Sequence, residues 1–349
     1  MSYRLFVVGS RGSPLSRRQT SLALDALRGK RPDARFQMRA IRTTGDRSRA
    51  SLSQIGGRGV FVAELERALL DGEIDIAVHS LKDMPSESTD GLAVGAVTER
   101  ADVRDALVSR KALTLAALPE GATVGTGSPR RAVQLLAARP DLRIADIRGN
   151  VDTRIRKVEG GQYDAAVLAA AGLVRLGLLD RAAEVLSIEV MLPAVGQGAL
   201  ALQVRADDAE AAELVGVLDN DASHSATAAE RAFEARLGAC LPAGRAGCHA
   251  AMAALGEVTR SVVLSPSLCH SEWSEESGAP LRMNSANDFG SRLRLRGLVG
   301  DPASGRILRG EVEGSVEDAE PVGVALAERL LAQGAAELLA SAAGGEAAR

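Results

Sequence analysis

Val7-Val8-Gly9-Ser10-Arg11-Gly12-Ser13-Pro14, running into Arg17 and Arg18, is echoed by Val124-Gly125-Thr126-Gly127-Ser128-Pro129-Arg130-Arg131. Each stretch reads as a short apolar strand, a turn of Gly, Ser and Thr, a proline where a first helical turn tolerates one, and arginine on the helix that follows. A helix N-terminus presents unpaired N–H groups and a partial positive charge. Two such turns facing one another, each armed with arginine, describe a cleft for a polyanion.

Outward from these turns the elements alternate. Arg4 to Gly9 reads as a strand, Pro14 to Leu27 as a helix, Phe36 to Ile41 as a strand, Phe61 to Asp71 as a helix and Ile74 to Val78 as a strand. The scheme repeats with Thr123 to Gly125, a helix over Arg131 to Ala138, Arg143 to Ile147, a helix over Val151 to Glu159, and Ala165 to Ala169. Asp75-Ile76-Ala77-Val78 and Asp164-Ala165-Ala166-Val167 hold equivalent places, so two related lobes are expected. Such alternation predicts an α/β fold with mostly parallel sheets and a ligand at the carboxyl ends of the strands.

From about Asp219 the texture changes. A helix over Ser223 to Leu237, strands near Ala250 to Val258, Leu293 to Val299 and Ile307 to Val312, and one closing helix from Val322 to Ala342 predict a smaller α+β unit. Within it Thr259 to Ser291 lacks periodicity and is rich in Ser, Glu, Asn and Gly. It reads as an inserted, disordered loop.

At 349 residues the chain is too long for one core, and two or three domains are expected. Hydrophobic residues at 46% and charged ones at 25% describe an ordinary soluble globular protein. A net charge of −3 argues against sequence-independent nucleic-acid binding, and aromatics at 2% argue against base stacking. No stretch approaches the roughly 20 apolar residues of a membrane span, and nothing near Met1 resembles a secretory signal. Three cysteines without tight pairing fit a reducing compartment, so the cytoplasm is expected. No long apolar helix face demands a dimer, which leaves a monomer.

His79-Ser80-Leu81-Lys82-Asp83-Met84-Pro85 emerges where a buried strand ends, the place where α/β proteins keep working groups. The ordinary alternative is a solvated loop with an incidental Lys82–Asp83 pair. Arg148-Gly149-Asn150-Val151-Asp152-Thr153-Arg154 puts one arginine at a strand end and another one turn inside the next helix, with Asn150 as its N-cap. Arg156 and Lys157 are expected to point away. Pro193 to Ala199, around Gln197, reads as a hinge or as a crossover between lobes; Gly56-Gly57-Arg58-Gly59 before Phe61 reads as a mobile lid or as a plain loop. Cys240, Cys248 and Cys269, with His249 and His270, lack metal-ligand spacing. No metal is expected there; a single nucleophilic or attachment thiol is.

Together GSRGSPLS (9–16), GGRGVFVAELE (56–66), DIAVHSLKDMP (75–85), VGTGSPRR (124–131), RGNVDTR (148–154), LPAVGQGAL (192–200) and AERAF (229–233) resemble the porphobilinogen deaminase (hydroxymethylbilane synthase) family. The likeness runs in order from about Arg4 to Phe233 and resumes over the terminal domain. It implies two lobes like those of periplasmic binding proteins plus a third domain: 1–98 with 199–218, then 99–198, then 219–349 with the insertion at 259–291. The implied activity is a transferase reaction of tetrapyrrole (haem) biosynthesis. Four porphobilinogen molecules are joined head to tail with loss of ammonia, on a dipyrromethane primer bound to a cysteine by a thioether.

Arg11, Ser13, Lys82, Thr126, Ser128, Arg130, Arg131, Arg148 and Arg154 match the family's carboxylate-binding positions, with Gly149 and Gln197 in the same set. Asp83 matches its catalytic aspartate, and Gly56, Gly57, Arg58, Gly59 and Phe61 its mobile loop. In such a site a fixed carboxylate stabilises positive charge developing on pyrrole nitrogens. The attachment cysteine departs from the family pattern. Cys240 stands at nearly the right distance from Phe233, but Pro242 arrives early; Cys248, eight residues later, precedes a strand at the expected offset and is favoured. The rival function is a bilobed binder of anionic solutes, which needs neither Asp83 nor an attached thiol.

Overall fold

A computed structural model describes residues 4–41, 62–240, 251–260 and 291–344. Gly56 to Phe61, Cys248, Cys269 and residues 261–290 lie outside the described residues.

The first lobe begins with β1 (Leu5–Arg11), α1 (Pro14–Lys30), β2 (Arg35–Ile41), α2 (Ala63–Leu70), β3 (Ile76–Ser80) and β4 (Leu92–Val97). The chain then crosses into β5 (Asp105–Ser109), β6 (Thr123–Gly125), α3 (Pro129–Ala138), β7 (Arg143–Ala145), α4 (Val151–Glu159), β8 (Ala165–Ala169), α5 (Ala170–Leu176) and β9 (Glu184–Val185). It returns as β10 (Leu200–Arg205) and α6 (Ala209–Gly216). The third unit is α7 (Asp221–Gly238), β11 (Ala251–Arg260), β12 (Ser291–Gly300), β13 (Ile307–Ser315), α8 (Ala319–Leu331) and α9 (Ala335–Gly344).

The lobe sheets share one topology, β2-β1-β3-β10-β4 and β7-β6-β8-β5-β9. In each, the strand that runs against its neighbours is the one entered from the other lobe, β10 or β5. The parallel strands end at the cleft, so a strand that starts at the cleft must run the opposite way. The repeat extends to single atoms. Asp75 Oδ2 accepts the Val7 amide at 2.8 Å, and Asp164 Oδ2 accepts the Thr123 amide at 2.8 Å, each pinning the start of a turn-bearing strand.

Alternation along β3 decides what reaches the cleft. Ile76 and Val78 pack with Leu24 and Leu27 of α1, while Ala77 packs with Leu65 and Leu69 of α2, so His79 lies on the α2 side. The third unit closes over Phe233, Leu293, Leu295, Leu326 and Leu330, all fully buried and each worth about 1.5–3 kcal/mol. Among the described residues no helix is long and apolar enough to cross a membrane.

Several sequence expectations shift. β3 starts two residues later than read, because Ile74 belongs to the turn after α2, its amide donating to Ala68 O. His79 and Ser80 are therefore strand residues. Thr259, Arg260 and Ser291 are not loop: β11 and β12 pair out to Arg260 opposite Ser291. The closing helix is two helices, since Gly334 at φ +96° turns the chain between α8 and α9.

Candidate active site

On the first lobe β1 ends at Arg11, and the Ser13 hydroxyl caps α1 by accepting the Ser16 amide at 3.2 Å. Pro14 stands at the first helical position, where no N–H is needed. After β3 a single 3-10 turn, Leu81–Asp83, inserts Leu81 into the core and leaves Lys82 and Asp83 half-buried at the strand's end.

The second lobe uses its matching turn differently. Ser128 caps α3 by position but makes no side-chain cap bond, and its amide donates to Thr126 Oγ1 at 3.2 Å. Arg130 and Arg131, in the first turn of α3, are buried. Their guanidiniums take opposite oxygens of Asp105 at 2.8 and 2.7 Å, and also donate to the carbonyls of Leu192 and Val167. These two arginines thus enter the cleft wall already paired, not as free cations on a helix tip. Burial alone would raise the Asp105 pKa; Arg130 and Arg131 reverse that and hold it below the usual carboxylate range.

Gln197, fully buried in the crossover that returns to the first lobe, joins the two walls. Its Oε1 accepts from Lys82 Nζ at 3.2 Å, and its Nε2 donates to Asp105 Oδ1 at 3.0 Å and to the Val103 carbonyl at 2.7 Å. The turn lies in the segment that crosses back to the first lobe, and its polar side chain bonds residues of both lobes. Glu230 of α7, also buried, holds Arg100 through both oxygens at 2.5 and 3.0 Å and receives the amides of Gly196 and Gly256, tying both crossovers to the third unit.

Gly149 adopts φ +114°, a conformation disfavoured for other residues, and its carbonyl accepts Arg154 Nε at 2.7 Å. Arg148 turns to the exposed Asp146 at 2.8 Å. Asn150 is the N-cap of α4, but its side chain makes no cap bond. Arg156 points outward to Asp152 as expected, whereas Lys157 folds back to donate to the Arg148 carbonyl at 3.1 Å.

Among the described residues the cations of this wall stand close enough to affect one another. Burial lowers the Lys82 pKa to about 8, with Arg131 and Arg130 pushing down against Asp83 and Asp105. Burial likewise lowers Arg154 to about 10, helped by Arg131 and Arg148. Arg131 Nε is enclosed without a hydrogen-bond partner among the described residues.

Sequence reasoning missed Asp105, Gln203 and Glu230. For Asp105 a signal was present, an acid heading the apolar run Asp105-Ala106-Leu107-Val108. Its partners come from a distant helix and could not be read locally.

Residues 6–213, which carry both turns, Lys82, Asp83, Asp105 and Gln197, match the family model described as the porphobilinogen deaminase dipyromethane cofactor binding domain. The chain belongs to the porphobilinogen deaminase family. A porphobilinogen deaminase of Roseiflexus sp. (strain RS-1) is 44% identical over 335 residues, 96% of this chain and 98% of that one. That of Thermus thermophilus is 43% identical over 337 residues, 97% of this chain and 99% of that one. Among solved structures, the methionine binding protein MetQ aligns with a TM-score of 0.40 at 15% identity, over 61% of this chain and 89% of that one. In this member of the porphobilinogen deaminase family, the matched region contains every described residue of the cleft wall.

Proposed function

We propose that this chain condenses four porphobilinogen molecules head to tail into hydroxymethylbilane, releasing ammonia each time, on a dipyrromethane primer held between the lobes. The gathering of Lys82, Arg131 and Arg154 carries this reading: burial lowers the pKa of Lys82 and of Arg154, and the Arg131 charge beside each pushes in the same direction. Every pyrrole of the product brings an acetate and a propionate, the groups that guanidinium forks grip best. When bound, dipyrromethane supplies the first nucleophilic pyrrole.

Arg11 and Lys82 on one wall and Arg131, Arg148 and Arg154 on the other hold carboxylates, with Arg130 fixing Arg131 through their shared Asp105. Ser13, Thr126 and Ser128 set the two helix entrances, Gly149 orients Arg154, and Gln197 keeps the lobes in register. Asp83 accepts pyrrole N–H and balances the positive charge that builds on that nitrogen during coupling. In this reading the catalytic lobe is 1–98 with 199–218, the arginine-rich lobe is 99–198, and the third domain, 219–349, carries the primer.

Cys248 is the proposed thioether site, with Cys240 as the alternative. The start of β11 at Ala251 supports Cys248, because it puts a strand at the offset that this choice of cysteine requires. Cys240 is exposed just beyond α7 and receives Arg236 Nη1 at 3.4 Å. The same reading makes the chain a cytoplasmic monomer.

Intact mass tests the proposal. Protein from a haem-making host should exceed the sequence mass by two pyrrole units, and peptide mass spectrometry should put them on one thiol. A bare-chain mass overturns primer attachment.

A further inference from the structure

The carboxyl end of β3 opens on a cavity of about 50 Å³ whose lining includes Arg11, Ser13, Ser16, Gln19, His79 and Asp83. A water needs about 10–15 Å³ of such space, so the cavity has room for a small polar group. His79 is buried in its wall, and its ring is oriented by a relay that the carboxylate chemistry does not use. Thr89 Oγ1 donates to Glu66 Oε2 at 2.9 Å, Gln203 Nε2 donates to Glu66 Oε1 at 2.9 Å, and Gln203 Oε1 lies 3.0 Å from His79 Nε2.

The relay fixes a tautomer. A carboxylate accepts and does not donate, so the amide nitrogen of Gln203 faces Glu66 and its oxygen faces the imidazole. His79 therefore carries its proton on Nε2. Nδ1 remains a bare acceptor: it meets no hydrogen-bond donor among the described residues, and it is not among the side-chain atoms sealed off without a partner.

We propose that this cavity receives the aminomethyl ammonium of the incoming substrate, with His79 Nδ1 and the Asp83 carboxylate as its acceptors. The assignment rests on porphobilinogen being the substrate. An ammonium is a small group with three N–H donors, which suits the two acceptors. Facing the ring are Arg11 from β1 and Asp83 from the turn after β3; Glu66 of α2 acts through Gln203.

Burial lowers the His79 pKa from 6.5 to about 4, with Asp83 opposing and Arg11 assisting. Such a ring accepts a hydrogen bond without taking the proton. That distinction matters because the amine departs only while protonated: the C–N bond breaks with its electron pair passing to nitrogen, which leaves as neutral ammonia, and the pyrrole nitrogen's lone pair fills the vacated carbon. An imidazole of ordinary pKa would be partly cationic near neutral pH and would repel the ammonium.

The test compares holoenzyme with its His79→Phe variant on two ligands, porphobilinogen and its analogue bearing methyl in place of aminomethyl, the latter as a competitive inhibitor. His79→Phe should raise KM for porphobilinogen by about tenfold or more, the loss expected for a hydrogen bond to a charged group, and leave inhibition by the methyl analogue unchanged. Equal weakening of both ligands, or of neither, overturns the inference. NMR of 15N-histidine-labelled wild-type holoenzyme keeps it testable should the variant fail to fold. The expected signal is an Nε2–H tautomer that stays neutral to about pH 4, and an Nδ1–H tautomer or titration near pH 6.5 overturns it. Wild-type holoenzyme that fails to consume porphobilinogen overturns the functional reading and this one with it; normal consumption with an indifferent His79→Phe variant overturns this one alone.

Discussion

The two glycine-serine turns share a sequence pattern and each opens a helix with proline at its start, yet they place charge in opposite ways. In the first lobe Ser13 caps α1 through its hydroxyl, and the acid that faces the cleft, Asp83, stands half-buried on a separate turn. In the second lobe Ser128 makes no such bond, and Arg130 and Arg131 are drawn inward onto Asp105, which is fully buried. A repeated motif thus fixes where the chain turns, while residues contributed from elsewhere fix which charges face a ligand. In the proposed function the first lobe therefore supplies the chemistry and the second holds charge.

The largest expected effect breaks or confirms the first half of that contrast. Asp83→Asn should lower kcat by about 10²–10³, the cost of removing one preorganised electrostatic group, while the holoenzyme mass stays that of the primed protein. Turnover near the wild-type rate would remove chemistry from the first lobe.

Asp105→Asn addresses the second half. It strands two buried guanidiniums without their carboxylate, a change expected to destabilise the fold by about 3–5 kcal/mol. Thermal unfolding reads this directly, and Asp83→Asn, at a half-buried site, should melt close to wild type. Equal melting of Asp105→Asn and wild type would mean that the second lobe does not depend on its buried acid.

Proton uptake sharpens the contrast further. Lys82 has a pKa of about 8 in the folded free protein against 10.5 ordinarily, so between those values the unfolded chain binds more protons and folding stability rises with pH. An anion in the cleft favours the charged amine again. Polyanion binding between pH 8 and 10 should therefore take up protons, and affinity should fall as pH rises through that range. Calorimetry in two buffers of different ionisation heat measures the uptake; none at all would remove Lys82 from the anion site.

The smallest effect is also the most direct comparison of the two turns. Ser13→Ala should cost about 1 kcal/mol, the usual value of an N-cap hydroxyl, whereas Ser128→Ala should be close to neutral because its hydroxyl makes no cap bond. Equal losses at both positions would show that the turns are capped alike.

Elements whose signals are local were legible in the chain itself. Thr123–Gly125 and Ala165–Ala169 form strands with the bounds read from sequence, and both prolines stand at the first position of their helices. The closing helix was misread because a glycine within an otherwise helical pattern does not by itself say whether the chain turns there. Lys82, Asp83, Arg130 and Arg131 were legible as charged residues that follow strands, and the structure brings them near one another. The partners of those residues were not legible.

Sequence by itself determined the repeated strand-turn-helix units, the alternation that makes the lobes, and the excess of arginine at their carboxyl ends, because backbone preference and hydrophobic period act over a few residues. Only the tertiary structure decided which cations are already spoken for. Arg130 meets Asp105 across 25 positions, Lys82 meets Gln197 across 115, and His79 meets Gln203 across 124. Burial makes each of these contacts strong, and burial is a property of the packed chain.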